Sequence, residues 1–374
     1  MKESLVHRLQ HEAIGPLKQR FVGRDEVVDL IALAVVAGEH LFLHGPPGTA
    51  KSALIRSFAR AVRGRYFEYM LTRFTEPNEI FGPVDIAKLR DGKVITVTTG
   101  MLPEAEFAFL DELFNANSAI LSSLLTILNE RTFRRGLEMH KLPLLSLFSA
   151  SNHLPEEDAL KALFDRFLLR CHVDNLKRDA LPQLLRAGWD MEQTPLPEST
   201  VSADDLRQLA RKLFEVDLTP ALEAYREAVL KVRDLGIAFS DRRAVKVQKL
   251  LAASALLCER TSAQPSDLWV LRYVWDREEQ IESLTSLVNG ILEQHADDKK
   301  KHPLAAVNKA VDAEELKKQI EGVEKELGGA LTLTQIARFK DRLTSLSDQI
   351  AWVRDDKARQ HLNDNVRTCL QKLG

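Results

Sequence analysis

The stretch from His40 to Val62, HLFLHGPPGTAKSALIRSFARAV, constrains this chain more than any other feature. HLFLHG is a short apolar run entering a Gly-Pro turn and reads as a buried strand. Beyond the loop, Ala53, Leu54, Phe58, Ala61 and Val62 fall on one helical stripe. Strand, tight loop and helix in that order is the setting in which G-x-x-x-x-G-K-[ST] cradles phosphate. Gly45, Lys51 and Ser52 fit that pattern, and Ala50 stands where the last glycine is usual. Loop amides and the helix N-terminus would face an anion. Lys51 would reach the outer phosphates and Ser52 would ligate Mg²⁺. Ala50 adds one methyl group there, tolerable if its φ is negative. The alternative reading is an ordinary strand–turn–helix connection.

Partner residues downstream favour the phosphate reading. In EFAFLDEL, Phe107 to Leu110 form an apolar strand ending in Asp111 and Glu112, about sixty residues after Lys51. Carboxylates at the C-terminal end of such a strand lie where α/β sheets bind ligands. Asp111 reads as the Mg²⁺-side acid and Glu112 as the residue that polarises the attacking water. LPLLSLFSASN is another buried strand, from Leu144 to Ala150, ending in Ser151 and Asn152. Asn152 can bond a phosphate or orient the water; its bland reading is a turn residue. ALFDRFLLR carries Arg166 in a loop before an apolar strand. In FSDRRAVKVQKLLAASALL, Ser240 reads as an N-cap and Arg242 and Arg243 open a helix. Cations at a helix N-terminus oppose the dipole, which hints at work on a phosphate.

GPPGTAKS, FLDE, SASN, LFDRF and SDRR, in this order, resemble an AAA+ ATPase. An alanine before the lysine is the form of the loop in the MoxR branch. TRFTEPNEIFGP, TTGMLPEAEFAFLDE and LLTILNERTFRRG look most like the RavA (regulatory ATPase variant A) subgroup. The resemblance covers roughly residues 1–280. It implies an α/β fold, a five-stranded parallel sheet flanked by helices, followed by an all-α lid and a C-terminal helical module. It implies ATP or ADP held by Val22 of the adenine-side box and by Gly45, Pro46, Pro47, Gly48, Thr49, Ala50, Lys51, Ser52 and Asp111. Mg²⁺ would rest on Ser52 and Asp111. Glu112 would be the base, Asn152 the first sensor, Arg166 the arginine finger that reaches a neighbouring subunit, and Arg242 the lid's sensor arginine, with Arg131 and Arg243 as alternatives. The active form would be a homo-oligomeric ring, usually a hexamer, often partnered by a von Willebrand factor A (VWA) domain protein.

Two insertions mark the branch, one between Pro77 and Pro103, where KVITVTT alternates like a short strand, and one, TFRRGLEMHKLPL, that reads as a hairpin around Arg135 and Gly136. The organisation expected is an α/β core over 1–174, a helical lid over 175–280 and a helical bundle or arm over 281–374. SADDLRQLARKLFEV opens on an N-cap, and TPALEAYREAVLKVRDLG has Pro in its first turn and Gly after it. PSDLWVLRYVWDREEQIESLTSLVNGILEQ reads as continuous helix, with Trp269, Tyr273 and Trp275 as core. HADDKKKHPLAAVNKA reads as a solvated, charged linker before amphipathic helices. In the RavA subgroup a β-rich domain interrupts the helical module, and only the linker lies at that point here.

Bulk properties narrow the function. Among 374 residues, 52 Lys and Arg offset 54 Asp and Glu, giving a net charge of −2 and no general attraction to nucleic acid. Cys171, Cys258 and Cys369 stand apart, without metal or disulfide spacing. No apolar run reaches the roughly 20 residues of a membrane helix, and no signal peptide opens the chain, so a cytoplasmic protein is expected. His11 and Glu12 begin like a zinc helix, but Gly15 holds the second His position. The leading expectation is Mg²⁺-dependent ATP hydrolysis with a chaperone-like remodelling role. The alternatives are a nucleic-acid-acting motor of the same family and a nucleotide switch of low turnover.

Overall fold

The computed structural model describes residues 3–91, 94–135, 138–306, 313–326, 335, 339–340, 342–343, 346–347, 350 and 356–372. Seven strands are described: β1 Leu41–His44, β2 Tyr66–Met70, β3 Phe107–Asp111, β4 Thr132–Arg135, β5 Glu138–Lys141, β6 Ser146–Ser151 and β7 Leu169–His172. Five form the parallel sheet expected, in the order β2-β3-β6-β1-β7. Its three central strands, β3, β6 and β1, are almost continuously buried, as a sheet covered on both faces requires. The crossover leaving β1 runs toward one edge of the sheet and that leaving β6 toward the other. A crevice therefore opens outside the C-terminal ends of these strands.

Local chemistry sets the helix limits. The helix Asp25–Ala37 ends at Gly38, which adopts φ 64°, a left-handed cap. Ser202 caps the helix Ala203–Lys212 in a capping box with Asp205. Helix Thr219–Asp234 carries Pro220 in its first turn, and Gly236 follows it at φ 72°. Ser240 caps the helix Asp241–Leu257 by accepting from the Arg243 N–H. The second insertion is the antiparallel pair β4–β5; Gly136, at its expected tip, lies outside the described residues.

Three expectations change. The stretch from Pro265 to Gln294 is not one helix: a 3₁₀ helix, Pro265–Tyr273, is followed by a break and then the helix Gln280–Gln294. The break follows from Asp276, whose carboxylate turns inward to meet the buried Arg243 at 2.8 Å. Trp269, Tyr273 and Trp275 are buried, as expected. In the first insertion the expected strand is reduced to one antiparallel bridge, Val84 to Thr96; Lys93 is outside the described residues. The charged linker is not solvated throughout. His302 and Ala305 are buried, His302 stacking on Trp269 at 4.4 Å, and Asp298 accepts from the Ser266 N–H at 2.9 Å. One apolar core runs from Val6 to Ala305. A second, separate one joins Leu316, Ile320, Val323, Leu343, Leu346, Ile350, Leu362, Val366 and Cys369, which makes the C-terminus a helical module.

Candidate nucleotide site

The loop after β1 is shaped by three positive φ angles: Gly45 at 147°, Gly48 at 81° and Ala50 at 65°. Gly45 is required by contact as well as by conformation. A Cβ there would lie 2.1 Å from the carbonyl oxygen of Val173. The expectation of a negative φ at Ala50 is overturned. This residue adopts the glycine conformation with a methyl group attached, because the loop must turn sharply into the helix Lys51–Ala61. That helix starts with no side-chain cap, which leaves its first amides for an anion. The ammonium of Lys51 folds over the loop, donating to the carbonyls of Gly45 (2.9 Å) and Pro46 (2.8 Å) and to Thr49 Oγ1 (3.3 Å). Burial lowers the pKa of Lys51, while Asp111 and Glu112 oppose that shift. Thr49 is buried and donates to the Pro46 carbonyl at 3.1 Å, and Pro46 and Pro47 stiffen the turn between Gly45 and Gly48.

Parallel register brings the partners to the same edge. Asp111 pairs with Ala150, and His44 with Ser151, whose carbonyl accepts from the Gly45 N–H at 3.2 Å. Asp111 is pushed up from the usual carboxylate range by burial, against the Glu112 N–H (3.0 Å) and the charge of Lys51. Glu112 adopts φ 53°, a strained angle for a side chain of this size. Its carboxylate accepts from Ser151 Oγ at 3.4 Å. Asn152 follows directly and is exposed beside the loop. Val22 is buried in the segment before the helix Asp25–Ala37. Arg24 donates to the Asp174 carbonyl at 2.7 Å, which ties that segment to the end of β7 on the same side.

The donor set fits a magnesium nucleotide: a hydroxyl at Ser52, a carboxylate at Asp111 and a cation at Lys51 gather at one uncapped helix end. Ser151 is a contact that the sequence reading passed over, having assigned a role only to its neighbour Asn152. The available signal was its place as the last residue of the strand, directly before Asn152.

The arginines lie elsewhere. Arg242 donates to the Asp165 carboxylate at 2.6 Å and to Asn129 at 3.2 Å, and Arg166 meets the same carboxylate at 3.2 Å. Asp165 precedes β7, so this group sits at the N-terminal ends of the strands. At about 3.3 Å per residue, the length of β7 alone separates it from the loop by roughly 10 Å or more. Arg242 is therefore not placed over its own loop. Burial, together with the charge of Arg242, lowers the pKa of Arg166, whose Nε has no partner among the described residues. Arg243 is buried on Asp276, the Ala238 carbonyl and the Val274 carbonyl. Arg131 is spent on the carbonyls of Gly38 (2.6 Å), Leu144 and Leu145 (3.0 Å). Both hold the fold together, which removes them as alternatives to Arg242 and Arg166.

With this geometry in view, the likeness to known proteins is specific. A family model described as the MoxR domain in MoxR-vWA-beta-propeller ternary systems matches residues 7–211. A model of an AAA lid domain matches 218–288. The chain is similar to an uncharacterised protein of Methanocaldococcus jannaschii, 38% identical over 296 residues, 78% of this chain and 77% of that one. It is 29% identical to the chaperone MoxR1 of Mycobacterium tuberculosis over 172 residues, 45% of each. The crystal structure of a proposed ATPase from Cytophaga hutchinsonii shares the fold, with a TM-score of 0.62 at 18% identity, over 77% of this chain and 94% of that one. Among the described residues no helix is long and apolar enough to cross a membrane.

Proposed function

This chain belongs to the MoxR family of AAA+ ATPases, and from that premise we propose that it is an ATP hydrolase working as a ring of identical subunits to remodel other proteins. The observation that carries this reading is the convergence of Lys51, Asp111, Glu112 and Ser151 at the C-terminal ends of β1, β3 and β6. Lys51 meets the charge of the outer phosphates. Ser52 and Asp111 hold Mg²⁺, which when bound supplies Lewis-acid stabilisation of the phosphoryl oxygens. Glu112 orients a water and takes its proton, held in place by the Ser151 hydroxyl. Asn152, at the same edge, bonds the terminal phosphate or that water.

Arg166 and Arg242, gathered on Asp165 at the far end of the sheet, are offered to a neighbouring subunit, where they stabilise charge on the transferring group. The helix Leu181–Gln193 supports assembly. It buries no residue, and Leu181, Leu184, Leu185 and Trp189 leave an uncovered apolar face. A hexamer, a cytoplasmic location, a VWA-domain partner and affinity with the RavA subgroup are parts of the same proposal. The family description, with its vWA component, supports the partner; the first insertion's motif supports the subgroup. The division at residue 174 is likewise proposed, supported by the last sheet strand ending at His172, and so is that at 280, which falls at the start of the helix Gln280–Gln294, while the lid match spans 218–288.

The test is ATP binding and phosphate release by two variants. Lys51→Ala should lose nucleotide affinity. Glu112→Gln should bind ATP and hydrolyse it about 10²-fold or more slowly. Affinity of Lys51→Ala within twofold of the parent protein would sink the loop assignment, and near-parent turnover by Glu112→Gln would remove it as the base.

A further inference from the structure

Beside the loop, but outside the machinery described above, two histidines and a glutamate meet where the lid segment crosses the sheet. His44 ends β1, His172 ends β7, and Glu278 comes from the break before the helix Gln280–Gln294. His44 Nε2 lies 2.7 Å and His172 Nδ1 3.0 Å from the same oxygen, Glu278 Oε1. One ligand atom from each residue lies within 4.8 Å of the other two.

The hydrogen-bond inventory of the rings does not close without an added cation. His44 Nδ1 faces the carbonyl oxygen of Ser151 at 3.1 Å, and a carbonyl only accepts, so that nitrogen carries hydrogen. His172 Nε2 faces the carboxylate of Asp174 at 3.2 Å. A neutral imidazole has one N–H. Once these two are used outward, His44 Nε2 and His172 Nδ1 keep lone pairs, and both point at a carboxylate that can only accept. Either each ring takes a second proton, or one divalent cation replaces both. The second arrangement is the usual one for metal-bound histidine, in which the far N–H is held by a carbonyl or carboxylate.

We infer that His44 Nε2, His172 Nδ1 and the Glu278 carboxylate form a binding site for a borderline divalent cation of the zinc class. Two imidazoles and a carboxylate with a position left open match the ligand preference of such ions. Bonds of about 2.05 Å set ligand atoms roughly 3.3 Å apart in a tetrahedron. Glu278 must withdraw by a few tenths of an ångström, and its side chain, 46% exposed, is free to do so. A cavity of about 510 Å³ lined by Cys171, His172, Tyr273 and Trp275 opens beside His172. Because Glu278 belongs to the lid side and the histidines to the sheet, the bound ion would clamp one to the other one residue before Gly45. The site does not rest on nucleotide turnover.

The test uses the full chain, stripped of metal and without nucleotide, dialysed against zinc chloride and assayed for bound zinc, with Co²⁺ absorption as the geometric probe. The unmodified protein should hold one zinc per chain and give a tetrahedral Co²⁺ spectrum. His44 is buried, so His172→Asn and Glu278→Gln, both at partly exposed side chains, carry the comparison. Each should weaken zinc retention at least about 10-fold, the lower bound seen even for an outer group of a metal site, while circular dichroism and ATP binding stay unchanged. No zinc on the unmodified protein, or equal retention by both variants, overturns the site.

Discussion

Replacing Ala50 with glycine tests the shape of the phosphate loop directly. Ala50 adopts φ 65° and ψ 21°, the left-handed region, and its methyl group is exposed, so glycine loses no packing there. The left-handed conformation costs a residue with a Cβ roughly 1–2 kcal/mol. Glycine removes that cost but gives about 0.5–1 kcal/mol back through its greater freedom in the unfolded chain. The residue sits at the boundary of the helix Lys51–Ala61, so no interior helix propensity is at stake. The balance is a net stabilisation of roughly 0.5–1 kcal/mol. For a domain of this size that is a rise in Tm of about 1–3 °C. Valine, β-branched and poorly suited to this region, should lower Tm by more than glycine raises it. Calorimetry of the three proteins under identical nucleotide-free conditions decides the matter. A glycine variant less stable than the parent, or a valine variant as stable, would mean that residue 50 has negative φ and the loop is built differently.

The remaining predictions concern assembly and pH. Arg166→Ala and Arg242→Ala should each keep ATP affinity and lose turnover, about 10³-fold for the finger, and mixing either with Lys51→Ala subunits should restore part of the activity; a phosphate-release assay showing no recovery for Arg242→Ala while Arg166→Ala recovers would return Arg242 to its own subunit's site. Glutamate at Leu185 or Trp189, on the uncovered face of the helix Leu181–Gln193, should dissociate the oligomer without unfolding the chain, and an unchanged light-scattering mass would remove that helix from the interface. His302, stacked on Trp269 and pushed down to about 3 by burial, stays neutral in the folded protein, whereas the unfolded chain takes up a proton below about pH 6.5. The stability it protects is present above pH 6.5 and lost as pH falls toward 3, with a slope approaching 1.4 kcal/mol per pH unit. Urea titrations of His302→Phe should show a flatter acid limb, and parallel limbs would contradict the assignment.

What the sequence determined by itself was whatever short-range chemistry can specify. The apolar runs before Gly45, Asp111 and Ser151 are strands because they are too short and too continuously apolar for anything but a covered parallel sheet. Ser202 and Ser240 start helices because their side chains satisfy free amides within three residues. The placement of the carboxylates and Asn152 at one edge of the sheet was legible because each is tied to a strand end. Tertiary structure decided what depends on distant groups. Gly45 tolerates no Cβ because the loop passes against Val173, more than a hundred residues away. The run after Pro265 breaks because Asp276 answers charges on Arg170 and Arg243, which no helical period encodes. The sequence marks Arg242 as the lid's sensor arginine but not where it lies; packing holds the lid helix at the other end of the sheet, by Asp165 and by Glu39 with Lys246 and Lys249. His44, His172 and Glu278 have no spacing to notice. Only the register of β1 beside β7 and the path of the lid segment bring their nitrogens and oxygen to one point, since side chains that far apart in the chain meet through packing alone.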